Sequence, residues 1–72
     1  MNTLVALIHL VTPGHSVWHE QFKFAVIYDR DGSWWTVDAH GSSAWKFPCS
    51  GPVEALEIFG SSTANNPSWQ LR

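Results

Sequence analysis

"FKFAVIYDRDGSWWTVDA", residues Phe22 to Ala39, sets two alternating apolar runs on either side of a turn. In the first run Phe22, Phe24, Val26 and Tyr28 take one parity, and Lys23, Ala25, Ile27 and Asp29 the other. A period of two belongs to a strand with unlike faces. Asp29-Arg30-Asp31-Gly32 has Asp at the first position of a type I turn and Gly at the fourth, where a left-handed residue closes a hairpin as a bulge. The second run returns as a strand, with Trp35, Val37 and Ala39 on one face and Trp34, Thr36 and Asp38 on the other. Adjacent tryptophans in a strand point apart, so the pair cannot serve one core.

Towards the N-terminus the alternation continues through Val17, giving one strand over 17–29. Pro13-Gly14 marks a turn ahead of it. "LVALIHLV", Leu4 to Val11, is apolar except for His9. A short apolar run stopped by turn residues reads as a strand covered on both faces. It lacks the basic flank and the small-x-small site of a secretory signal. It is also far shorter than the ~20 residues a membrane helix needs.

Towards the C-terminus "HGSSAWKFPCSG", His40 to Gly51, reads as a loop with Trp45 and Phe47 packed down. "PVEALEIF", Pro52 to Phe59, reads as a two-turn helix. Ser50 or Gly51 caps it, Pro52 opens it, Glu54 complements the first-turn dipole and Gly60 closes it. Val53, Leu56 and Phe59 form its apolar face. The expected fold is therefore α+β: residues 1–60 as one β-β-β-α domain, a three-stranded antiparallel meander with the helix on one face. Residues 61–72 are expected as a flexible tail.

One helix cannot cover both faces of a sheet. Under it this reading places Phe24, Val26 and Tyr28 with Trp35 and Val37. The other face carries Trp34 as the anchor of a partner-binding patch, with Val5, Leu7, Ile27 and Asp38 around it. If the parity is inverted, Trp35 inherits that role. Alternatively Trp45, Phe47 or Trp69 folds over the second face, because small domains recruit every large side chain they own.

The composition narrows the function classes. In 72 residues the chain has four Lys and Arg, six Asp and Glu, a net charge of −2 and 44% hydrophobic content. Four scattered basic groups cannot form the positive patch that phosphate binding requires, so no direct nucleic-acid contact is expected. The acidic excess instead steers a basic partner surface inward. One cysteine, Cys49, fits a reducing cytoplasm and no internal disulfide. His15 and His19 are four apart, but that spacing needs a helix to set both imidazoles together. Asp38, His40 and Cys49 could supply metal ligands, yet no CxxC or HExxH spacing accompanies them. Cys49 as a nucleophile would draw on His40 and Asp38 as base and orienting group, but no protease-like signature accompanies them, and no glycine-rich phosphate loop is present. The expectation is a binding protein, not an enzyme, with no cofactor, acting as a monomer.

A tiny, aromatic-rich, mildly acidic chain without catalytic parts, opening "MNTLVALIHLV", resembles the early host-takeover proteins of bacteriophages. Within that class it is similar to the small RNA-polymerase-binding inhibitors known from a lytic Xanthomonas phage. The resemblance implies binding to the N-terminal part of the polymerase's largest subunit in the host bacterial cytoplasm. It also implies inhibition of σ-dependent initiation, and antitermination. Two other readings stay open: another occluding inhibitor such as an anti-CRISPR protein, and a small histidine-based metal-binding domain.

Overall fold

The structure, a computed structural model, describes residues 3–40 and 43–72. Its order is α1 (Leu4–Ile8), β1 (His15–His19), β2 (Phe24–Tyr28), β3 (Trp34–His40), β4 (Ser43–Cys49), α2 (Pro52–Ala64) and β5 (Trp69–Leu71). The α+β class and the antiparallel sheet hold, but the sheet has five strands in the order β4-β3-β2-β1-β5. Four strands form a meander, α2 crosses back over it, and β5 pairs with the far side of β1.

The Asp29–Gly32 turn forms as its chemistry dictates. The Gly32 amide donates to the Asp29 carbonyl at 3.0 Å, and Gly32 sits at φ 89°. The Asp29 amide then donates to the Ser33 carbonyl, which fixes Tyr28 opposite Trp34. Opposed residues share a face. Trp34 thus joins Tyr28, Val26 and Phe24, and Trp35 joins Ile27 and Ala25. This inverts the expected assignment of the two tryptophans.

Three further expectations are corrected. Leu4 to Val11 is not a strand: its first five residues form α1. Thr3 caps it by accepting from the Ala6 amide at 3.4 Å, and Leu4, Leu7, Ile8 and Val11 are buried at helical spacing. An isolated turn this short would not hold in water; burial of those side chains, at roughly 1.5–3 kcal/mol each, makes it stable. The single strand over 17–29 is instead a hairpin of β1 and β2. Its turn lacks glycine, proline and asparagine, and Lys23 takes the left-handed role at φ 59°. The Lys23 amide donates to the His19 carbonyl, and the Phe22 amide donates to His19 Nδ1.

The tail is likewise structured. Gly60, at φ 73° and ψ 163°, breaks the helix where it was expected to end, but the helix resumes to Ala64. The chain then returns through β5, and Trp69 is fully buried with its indole donating to the Thr63 carbonyl at 2.8 Å. The core sits between the helices and one sheet face, built from α1, Val17, Val26, Ala55, Ala64 and Trp69. Val53, expected in it, is 70% exposed, while Ala55 and Phe59 make the inward stripe of α2. The loop expected over His40 to Gly51 is also corrected: Ser43–Cys49 is the strand β4, and Trp45 and Phe47 are about half exposed on it and not packed down, while Gly41 lies outside the described residues.

Candidate functional site

Both helices pack on one side of the sheet, as expected of one helix, so the opposite face is left to its own side chains. On that outer face Trp18 of β1 lies opposite Ala25, and Trp35 of β3 lies opposite Ile27. Each indole N–H donates to the hydroxyl of the serine two residues earlier: Trp18 to Ser16 at 2.8 Å and Trp35 to Ser33 at 3.0 Å. Residues two apart share a strand face, so the serine is in reach and draws each ring back along its strand. A cation then lies over each ring. The Arg72 guanidinium stands 5.2 Å from the Trp18 centroid, and Lys46 Nζ stands 4.4 Å from that of Trp35. Arg72 also pairs with Glu20. Beneath this layer Ala25 is fully buried and Val37 nearly so, with no helix above them. The outer face therefore covers itself with two indoles and two cations.

The exposed apolar surface lies on the other side. Trp45 and Phe47 of β4, on the helix-facing parity, are each about half exposed. Ile58 and Val53 of α2, Val5 and Leu10 at the N-terminus, Phe22 and Leu71 complete the set of strongly exposed large apolar side chains among the described residues. All belong to the helix layer, to helix-facing sheet positions or, for Phe22, to a ring stacked on helix-facing His19. The cause is geometric: α2 rests on β2 and β5 through Phe59, which meets Phe24 at 5.2 Å and Trp69 at 5.3 Å. On β3 the helix-facing Thr36 is still buried, and Trp34 packs against the core, but on β4 the cover thins and Trp45 and Phe47 stand about half exposed.

A groove runs between α2 and the strands β3 and β4. Phe24, Thr36 and Asp38 form its floor, and Phe47, Ile58 and Phe59 its walls. In the sheet register Asp38 lies between Phe24 on β2 and Trp45 on β4. A second apolar groove separates the helices, lined by Val5, Val53, Leu56 and Ala64 beside Glu57. Asp38, Glu54 and Glu57 thus place carboxylates on this side. The four basic residues, Lys23, Arg30, Lys46 and Arg72, all lie in turns or over the outer face. The other three carboxylates, Glu20, Asp29 and Asp31, share those turns with the basic residues, and Glu20 pairs with both Lys23 and Arg72.

The five residues expected in one patch are dispersed. Ile27 is on the outer face, half-buried. Trp34 is on the helix-facing side, stacked on Tyr28 at 4.3 Å. Leu7 is core, because α1 is a helix and turns it inward. Val5 is exposed in the groove between the helices, and Asp38 lies on the floor of the other groove. Trp45, Phe47 and Ile58 were not expected in a partner surface. The alternation in "AWKFP" sets Trp45 and Phe47 together against Lys46 and Pro48, and was the available signal.

Among the described residues the candidate chemistry does not assemble. Cys49 pairs with Trp34 across the sheet, four residues and so roughly 13 Å along β3 from Asp38. Its thiol donates to the Gly51 carbonyl at 3.1 Å. The side chain of His40 lies outside the described residues. His15 and His19 share the helix-facing side of β1, but His15 is exposed and His19 fully buried, stacked on Phe22 at 4.4 Å. Among the described residues no group of three His, Cys, Asp or Glu could hold a metal ion. None of the described helices is long and apolar enough to cross a membrane. No protein-family model, curated protein or solved structure matches this chain.

Proposed function

We propose that this chain is a non-catalytic protein-binding inhibitor that acts by occluding a larger partner. The observation that carries the reading is the asymmetry of the surface. One side is covered by its own indoles and cations, and the other gathers exposed Trp45, Phe47, Ile58 and Val53 together with the carboxylates of Asp38, Glu54 and Glu57. A mixed apolar and single-sign surface on a small domain is the form a protein contact takes, with charge setting encounter and apolar anchors setting affinity.

The partner in this reading is bacterial RNA polymerase, bound at the N-terminal part of its largest subunit, with loss of σ-dependent initiation and antitermination as the consequences. Its support is the resemblance in size and character to phage takeover proteins. The test is co-elution with purified bacterial RNA polymerase holoenzyme on a sizing column, together with σ-dependent run-off transcription. Stoichiometric co-elution and loss of run-off product are expected. Separate elution with undiminished transcription overturns the polymerase reading, and capture of a Cas complex in the same format would replace it with the anti-CRISPR one.

A further inference from the structure

We propose that Asp31–Gly32 is a site of isoaspartate formation held in check by the Ser33 hydroxyl. The inference concerns the covalent chemistry of the chain itself and is independent of what the protein binds. Asp31 is the only aspartate or asparagine in the sequence that is followed by glycine. Glycine has no side chain to hinder attack by its own nitrogen, and both residues are exposed to water. The rearrangement begins with a dehydration. The Gly32 nitrogen bonds to Asp31 Cγ, a carboxyl oxygen departs as water with the acid proton and the amide proton, and a cyclic imide closes. Water then reopens the ring. Addition at the side-chain carbonyl restores aspartate, whereas addition at the main-chain carbonyl routes the chain through Cγ and frees the α-carboxyl. Only water is exchanged, and nothing is oxidised or reduced.

Three bonds of the folded turn oppose the first step. The Gly32 amide donates to the Asp29 carbonyl at 3.0 Å, so its nitrogen is committed to the turn. Asp31 Oδ1 accepts from the Ser33 amide at 2.9 Å and from the Ser33 hydroxyl at 2.5 Å. The first of these is the bond an aspartate makes to the backbone two residues on. The hydroxyl doubles it, and both must yield before Cγ can close on the Gly32 nitrogen. Their electronic effect acts the same way. Hydrogen bonds to a carboxylate favour its charged form, and the Ser33 hydroxyl and amide hold this carboxyl below its ordinary value. Dehydration proceeds from the neutral acid, which can lose water; the carboxylate has no such leaving group. Ser33 thus keeps Asp31 in the geometry and the charge state that react least. What it protects is the strand register. The rearranged chain carries one more main-chain carbon in the turn that sets Tyr28 opposite Trp34, next to the serine that holds the Trp35 indole.

The test follows isoaspartate in the full chain during incubation in warm neutral buffer. It is counted by methylation with protein isoaspartyl methyltransferase and located by electron-transfer fragmentation of the intact chain. The folded protein is expected to accumulate isoaspartate at Asp31 about tenfold or more slowly than the same chain unfolded in urea, the scale of a hydrogen bond to a charged group. Ser33→Ala should remove most of that difference. Ser33→Thr and Ser33→Val are matched in shape and differ in the hydroxyl, so they keep the comparison decisive if Ser33→Ala loosens the hairpin. The Ser33→Thr chain should retain the slow rate and the Ser33→Val chain should lose it. Equal rates for the folded and unfolded protein, or equal rates for the Ser33→Thr and Ser33→Val chains, overturn the proposal.

Discussion

Ser33 shows how much a single hydroxyl organises here. It donates to Asp31 and accepts from the Trp35 indole, and its amide donates to the same Asp31 carboxylate. The turn and the outer-face tryptophan are thereby coupled. The Ser33 hydroxyl, and after it the Ser33 amide, holds the Asp31 carboxyl below its ordinary value. With the folded value below the unfolded one, the associated stability is complete above the unfolded pKa and disappears as pH falls through the folded one. Ser33→Ala should raise the Asp31 titration towards the ordinary range and move the Trp35 indole N–H resonance in the same spectrum. An unchanged Asp31 titration, followed through its side-chain carboxyl by NMR, would show that the hydroxyl is not the cause. His19 is organised the other way, from inside. Its Nδ1 accepts from the Phe22 amide, so the proton of the neutral ring sits on Nε2. No signal in "WHEQF" distinguished this buried turn-forming histidine from an exposed one.

At the scale of elements, the readable features were those that punctuate the chain. Pro52, Glu54 and Gly60 marked the first limb of α2, and the Asp29–Gly32 turn marked the β2–β3 hairpin. Ser50 donates to Glu54 at 2.6 Å, which ties the entry of that helix. Gly60 lies in a region of backbone space that is essentially confined to glycine, and a Cβ there would meet nothing within 4 Å. The constraint is therefore torsional, not steric crowding. Gly60→Ala should destabilise the protein by about 1–3 kcal/mol, although alanine is the better helix former. Urea unfolding measures it, and a stabilised variant would show that the break is not required. The elements that escaped the sequence reading lacked such punctuation. The β1–β2 turn uses Lys23 where glycine is the usual signal, and α1 is apolar at almost every position, so a period of 3.6 and an unbroken strand look alike.

For the molecule as a whole, the last residues matter most. A domain of this length is marginally stable, typically by ~5 kcal/mol or little more. Trp69 contributes a fully buried indole that meets both Phe59 and His19 edge-on, and β5 completes the sheet beside β1. Trp69→Ala should cost about 3–5 kcal/mol, enough to leave much of the population unfolded. Circular dichroism and the dispersion of the amide spectrum report this, and retention of a native spectrum would return residues 61–72 to the role of a dispensable tail. Turns, caps and breaks are set by residues within a few positions of one another, so Asp29–Gly32, Pro52 and Gly60 could be assigned from the chain alone, as could the α+β class. Which tryptophan faces the helices, whether Leu4–Val11 coils or extends, and where Trp69 lies depend on strand register and on what covers each face. Those are sums over contacts between segments distant in sequence, in which Tyr28 opposite Trp34 and Trp69 beneath α2 outweigh every local preference.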